Sequence, residues 1–211
     1  LNKDGAFAEY ITLPNRNIHV VPDNVPDLEA VFVEPLAAAL EITEKCHIKP
    51  THRVAIVGDG KLAQMITQVI SLISCDLHVI GKHSEKLEIL KNKAKTLLLS
   101  EVNKENYFDI VIDCTGNEQG LILAQKIVKA MGTIVLKSTY NGKAYLNPTG
   151  WVVNEITVIG TRCGPIDAAL RLLERKMISI DSLVSGIYSL DDYEEAFNSK
   201  NKLKAIFKIG K

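Results

Sequence analysis

The stretch HRVAIVGDGKLAQMI, His52 to Ile66, runs from an apolar segment through two glycines into a helical pattern. RVAIVG reads as a buried strand and KLAQMITQVISLIS as the helix that follows it. In a G-x-G-x-x-G turn the first glycine makes the tight bend, and the second lets the backbone approach a pyrophosphate. The third position needs only a small side chain for close helix–strand packing. Gly58, Gly60 and Ala63 meet those three demands, with Asp59, Lys61 and Leu62 completing the turn. A lone glycine turn is a weak signal, since glycine between strand and helix often serves only its φ angle, so the surrounding order decides.

That order is regular. DLHVIG reads as a strand, SEKLEILKNK as a helix opened by Ser84, TLLL and FDIVIDCTG as strands, and EQGLILAQKIVKAM as a helix; GTIVLKST and EITVIGTRC follow as strands. Short apolar strands alternating with amphipathic helices predict a Rossmann-type, doubly wound α/β fold: a parallel sheet with helices on both faces and the glycine turn on its first strand. Upstream, GAFAEYITL (Gly5 to Leu13) alternates with period two and predicts a strand, and an Ala/Leu/Glu-rich stretch from Leu28 to about Cys46 predicts one long helix. Downstream, PIDAALRLLERKMI, LVSGIYSL, DDYEEAF and LKAIFKIG read as helix, strand, helix and strand.

Composition fits an ordinary globular protein of 211 residues, 46% hydrophobic and 24% charged. A chain of this size buries about 70% of its unfolded surface and needs neither disulfides nor metal to hold a core. Lys plus Arg balances Asp plus Glu at 25 each, which gives no footprint for nucleic acid. No apolar run approaches a membrane span and no signal-peptide pattern is present, so no membrane contact and a cytoplasmic location are expected. Cys46, Cys75, Cys114 and Cys163 are too scattered for a C-x-x-C zinc site and are expected to be buried free thiols. None of the five histidines shows a metal-binding pairing.

Two features bear on chemistry. An acid about 20 residues past the first glycine ordinarily holds the adenosine ribose; here the second strand ends in VIGKHSEKL, with Gly81 at that place. A carboxylate would repel a 2′-phosphate. Gly81 is expected to leave room for one, with Lys82, His83 and Ser84 supplying charge and donors, so NADP is favoured over NAD; the plainer alternative is a solvated Lys-His-Ser turn. Glu34, in the apolar stretch VFVEPLAAALE, is either paired, protonated or metal-bound, or simply an exposed helix acid, with Pro35 fitting a first turn or a kink.

The blocks DGAFAEYITLPNRNIHVVPD, VEPLAAALE, VGDGKLAQM, DCTG, GTIVLKSTY and EITVIGTRCGP, in this order, resemble the zinc-dependent alcohol dehydrogenases of the medium-chain dehydrogenase/reductase family. The resemblance runs from near Gly5 to the last strand. It implies remnants of a GroES-like catalytic domain at both ends: residues 1–27 and a returning segment, 164–211, around a linker helix and dinucleotide-binding domain at 28–163. It puts Glu34 on a catalytic-zinc position and Gly58, Gly60 and Ala63 on the pyrophosphate turn. Gly81, Lys82 and Ser84 fall on the ribose loop, Thr115 and Gly116 beside the nicotinamide ribose, and Ser138, Thr139 and, less directly, Lys137 near the nicotinamide. It also implies a small-molecule alcohol or polyol substrate, and a homodimer joined through the strand at 155–163.

The departures are as informative. The family's other zinc ligands and its proton relay lie in a barrel with no counterpart here, and the lobe of four clustered cysteines is missing. A start at Leu1, within a strand-like pattern, leads to the expectation that the sequence is a piece of a longer protein and that it is inactive alone. One glutamate cannot hold a catalytic zinc that needs about three protein ligands. The leading reading is therefore the cofactor-binding part of an NADP-preferring, zinc-dependent alcohol or polyol dehydrogenase. The alternative is a stand-alone nucleotide-binding Rossmann module without catalysis. A short-chain dehydrogenase is set aside because Tyr140 and Lys143 are three apart rather than four.

Overall fold

The computed structural model describes residues 5–140, 143–198 and 203–209. Its central sheet comprises β1 (Arg53–Val57), β2 (Asp76–Gly81), β3 (Lys95–Leu98), β4 (Phe108–Asp113), β5 (Val128–Leu136) and β6 (Thr157–Gly160). The order is β3-β2-β1-β4-β5-β6, every pairing parallel. The winding direction reverses between β1 and β4, so the turns leaving those two strands diverge and open a crevice at their carboxyl ends.

The apolar runs are continuous because both faces are covered. Val54 and Ile56 point into one core with Val79, Ile110 and Ile112, beneath α2 (Val33–Lys45), α3 (Lys61–Ser71) and α7 (Ile166–Glu174). Ala55 and Val57 point the other way, where Leu121, Ala124 and Ile127 of α5 (Glu118–Ile127) close the second core. Each fully buried Ile or Leu contributes about 1.5–3 kcal/mol, and Ile56, Ile66, Ile70 and Ile112 are all wholly buried. The Rossmann architecture expected from the sequence is thus observed.

Several local expectations are corrected. Gly5 to Leu13 forms no strand: Phe7, Tyr10, Ile11 and Leu13 are exposed, since alternation produces a strand only where a neighbour pairs with it, and none of the described residues does. Phe7 instead packs edge-on against Phe207, ring centres 4.9 Å apart. The segment after it is fastened to α7 and its C-terminal end by His19 with Asp167 at 3.0 Å and Lys176 with Glu29 at 3.0 Å.

The long helix breaks into α1 (Asp27–Ala30) and α2. Pro35 lacks the N–H that a continuous helix would direct at the Val31 carbonyl, and its ring crowds that group, so a new helix starts with Pro35 in its first turn. The orphaned Val31 carbonyl accepts from Lys204 Nζ at 2.8 Å.

Val128 to Met131, expected as helix, begin β5: Val128 pairs with Phe108, and Met131 turns through φ 60°. A short helix α6 (Pro148–Val153), absent from the sequence reading, is capped by Asn147, whose side chain accepts from the Gly150 N–H at 3.0 Å. β6 covers only four residues of the strand expected at 155–163. After α7 come β7 (Val184–Tyr188), α8 (Tyr193–Asn198) and β8 (Lys204–Phe207), the two strands forming a separate parallel pair. Asn141 and Gly142, in the loop between Tyr140 and Lys143, lie outside the described residues.

All four cysteines are free; Cys46 is buried, Cys75 and Cys114 are half-buried, and Cys163 is exposed against expectation. Among the described residues no helix is long and apolar enough to cross a membrane.

Candidate functional site

A cleft of about 290 Å³ opens where the turns after β1, β2 and β4 meet. It is lined on one side by Gly58, Asp59 and Gly60, on the next by Gly81, Lys82 and His83, and opposite by Cys114, Thr115 and Asn117. The turn after β1 leaves the sheet late, because the Gly58 N–H still donates to the Ile80 carbonyl at 2.8 Å.

The two glycines of that turn differ in cause. Gly58 has φ +124°, a conformation that strains any residue with a side chain. Gly60 is extended, at φ −73° and ψ 180°, and a Cβ built on it would touch nothing within 4 Å. The fold needs glycine at 58 and not at 60, whose missing side chain leaves only open cleft. Ala63 is buried beneath the turn, so its small size does serve helix–sheet packing. Lys61 and Leu62 begin α3, whose N-terminus faces the turn; neither lines the cleft.

The space above Gly81, expected to be vacant, is taken by Asp59. A Cβ on Gly81 would lie 2.6 Å from Asp59 Oδ2. That buried oxygen accepts from the Lys82 N–H at 2.6 Å and the His83 N–H at 2.8 Å, and His83 Nδ1 donates to it at 3.0 Å. Burial alone would raise the carboxyl's pKa, but these bonds and the nearby imidazole outweigh it and hold the pKa below the ordinary value, so the group is ionised at neutral pH. Lys82 is exposed at the cleft, whereas Ser84 is exposed at the start of α4 (Ser84–Glu88) and does not line it; the capping position belongs to His83.

On the far wall Asp113, wholly buried at the end of β4, organises two turns at once. Its Oδ1 accepts from the Thr115 N–H at 2.9 Å and the Thr115 hydroxyl at 2.7 Å, while the Tyr140 hydroxyl donates to Oδ2. Gly116, at φ +67°, lies so close to the turn after β5 that a Cβ would come within 3.1 Å of the Thr139 carbonyl and 3.5 Å of Ser138 Cβ. Thr115, Gly116, Ser138 and Thr139 are thus brought together, although only Thr115 of the four lines the cleft.

Burial, with the Asp113 hydrogen bond, pushes the Tyr140 phenol well up, and burial with the Asp113 charge does the same to the Cys114 thiol. Neither is a base or nucleophile at neutral pH. Lys137, which the resemblance pointed at the nicotinamide, is buried and donates to the Arg162 carbonyl at 2.7 Å without lining the cleft; burial lowers its pKa.

Asp113, Tyr140, Asn117 and Gln119 were missed by the sequence reading. Of these, only Asp113, a charged residue closing an apolar strand, left a signal that motif reading could have used.

Glu34 lies exposed in the first turn of α2, matching the plainer of its two readings. Among the described residues no three of His, Cys, Asp and Glu are grouped to hold a metal ion. The donor set therefore does not fit a catalytic zinc.

Sheet order and glycine turn together define a Rossmann domain. No family model matches the chain. D-arabinitol dehydrogenase 1 from Uromyces fabae is 25% identical over 216 residues, covering 92% of this chain and 61% of its own length. Sorbitol dehydrogenase from Halalkalibacterium halodurans is 23% identical over 221 residues, covering 97% and 64%. Among solved structures, one described as a zinc-binding dehydrogenase from Sinorhizobium meliloti 1021, bound to NADP, superposes with a TM-score of 0.88 at 23% identity, covering 97% of this chain and 66% of that one. The chain spans less than two thirds of the length of the curated relatives it matches. The resemblance carried by the sequence blocks is borne out as far as likeness goes: these relatives are polyol dehydrogenases, and the chain shares its fold with part of a solved zinc-binding dehydrogenase.

Proposed function

We propose that this chain is the cofactor-binding part of a cytoplasmic, nicotinamide-dependent alcohol or polyol dehydrogenase, with NADP the preferred cofactor, and that residues 28–163 form its dinucleotide-binding domain between two segments, 1–27 and 164–211, of a catalytic domain. The observation that carries the reading is Gly60: the fold does not require glycine there, whereas a pyrophosphate lying against the backbone does.

In this reading Gly58 and Gly60 bring the turn's backbone to the pyrophosphate, and the N-terminus of α3 offers it a positive dipole end. Lys82 and His83 meet the adenosine ribose with Ser84 behind them at the start of α4, and Thr115, Gly116, Ser138 and Thr139 flank the nicotinamide end. The dinucleotide, when bound, supplies the hydride acceptor. The chain's own residues bind and orient it and keep Tyr140 and Cys114 protonated beside it. Glu34 retains its place as the one residue here that the resemblance assigns to zinc; the donor set described above supports no step through that metal.

Lys82 puts a positive charge beside the ribose, while the His83 N–H groups are engaged by Asp59, so it is on the Lys82 charge that we expect NADP to bind more tightly than NAD. The preference should shrink as salt rises, because a charge–phosphate contact is screened over roughly 10 Å at 0.1 M salt. Calorimetric titration of both nucleotides at two salt concentrations checks this; equal or tighter NAD binding refutes the preference, and no binding of either refutes the function. A stand-alone nucleotide-binding module would bind equally well, and is separated by whether the longer protein oxidises a polyol.

We also propose a homodimer through β6. It pairs only with β5 among the described strands, and Val152 and Val153 stand exposed beside it. The Thr161 N–H donates inward to the Leu136 carbonyl at 3.1 Å, so by the two-residue period the Val158 N–H points outward. Edge pairing about a two-fold axis would use that group. Val158→Pro removes it without touching the inner ladder and should convert a discrete dimer into a monomer in sedimentation at micromolar concentration. Heterogeneous association indifferent to the change would instead indicate the exposed apolar side chains near the N-terminus.

A further inference from the structure

Asp59 is the middle residue of the glycine turn, yet its carboxylate is used entirely on the next loop. Two backbone N–H groups and one imidazole N–H converge on Oδ2, and Oδ1 lies 3.1 Å from His83 Nδ1. A carboxylate only accepts, so His83 carries its proton on Nδ1. Gly81 admits the contact, since a side chain there would collide with Asp59. The geometry is held from behind by Gln64, wholly buried, whose Nε2 donates to the Lys86 carbonyl at 2.8 Å and approaches the Asp59 carbonyl at 3.4 Å. The turn after β1 and the start of α4 are thereby fixed as one unit.

Those N–H groups are what an anion at the adenosine 2′ position would require. A phosphate cannot use them while Asp59 does, and a dianion beside a buried carboxylate is repelled. The ribose of an unphosphorylated cofactor needs no such displacement. We propose that Asp59 is a specificity-determining residue: an internal anion, reaching across from the glycine turn, that competes with the 2′-phosphate for the Lys82 and His83 donors and limits the affinity for NADP. The strand-end acid whose absence at Gly81 suggested free access for the phosphate is in effect replaced by one from a different loop. This rests on the dinucleotide-binding reading above and concerns the ratio of two affinities, whichever form the native protein prefers.

Asp59→Asn removes the charge at constant shape, and Asp59→Ala removes the acceptor and leaves a Gly-Ala-Gly turn. Calorimetric titration of the full chain with NADP and with NAD should show both variants raising the NADP-to-NAD affinity ratio about tenfold or more, mainly through tighter NADP binding. A structural role alone would weaken both nucleotides together. An unchanged or reduced ratio in both variants overturns the inference while leaving the function intact. Failure of the unaltered chain to bind either nucleotide overturns the function, and the inference with it.

Discussion

Replacing Gly164 by alanine is expected to lower the melting temperature by about 10 °C or more. Gly164 sits between β6 and α7, and a Cβ on it would lie 1.7 Å from the Ala37 carbonyl oxygen and 2.4 Å from its carbon. Both atoms belong to the backbone of α2, and Ala37 is buried in the middle of that helix, so no side chain can swing aside. Relief requires α2 and α7 to separate along the face that buries Leu36, Ala169, Leu170 and Leu173. Overpacking typically costs about 1–3 kcal/mol and more where, as here, only backbone can yield; about 4 kcal/mol, at roughly 2–4 °C per kcal/mol for a chain of this size, gives about 8–16 °C. A thermal melt followed by circular dichroism reads the shift, and a change under about 3 °C would show that the helices yield more easily than this packing implies.

The second large effect separates binding from folding. Gly60→Val places its side chain in the open cleft and should reduce dinucleotide affinity about a hundredfold, close to 3 kcal/mol. Stability should fall by only about 1 kcal/mol, the difference between glycine and an apolar residue at a helix N-cap, which is roughly 2–4 °C. Gly58→Val should lose on both counts, because its φ of +124° strains any side chain even though the nearest atoms, of Cys114, lie at an ordinary 3.5 Å. Affinity preserved in Gly60→Val would dissociate the glycine turn from nucleotide binding.

Much of the sheet was legible because its determinants are local. Unbroken apolar runs, amphipathic helices between them and a glycine turn after β1 each leave a mark within about a dozen residues. The failures share a different origin. The alternation in Gly5 to Leu13 is a strand pattern that joins no sheet among the described residues. Val128 is read as helix by its neighbours and as strand by Phe108, and the ladder prevails. α6 is the exception, since Asn147-Pro148, a capping residue followed by a proline at the first helical position, is a local mark. In the site, the positions of the turns were readable from spacing, but the union of Asp59 with residues 82 and 83 depends on two strand ends meeting in space. No periodicity encodes such a meeting, and reading Gly81 by itself suggested an empty place where the structure puts a carboxylate.

The Asp113 network has a thermodynamic corollary. One buried carboxylate fastens the turn after β4 through Thr115 and the turn after β5 through Tyr140, so this wall of the cleft is pre-organised. A guest arriving there gives up its own translational and rotational freedom, while the protein surrenders little more, and the entropy cost of association falls chiefly on one partner. The opposite wall carries a different cost, since the donors after β2 are already occupied by Asp59 and must be released before a second anion can use them. The crevice is therefore asymmetric, rigid and receptive at one end, occupied and exchangeable at the other.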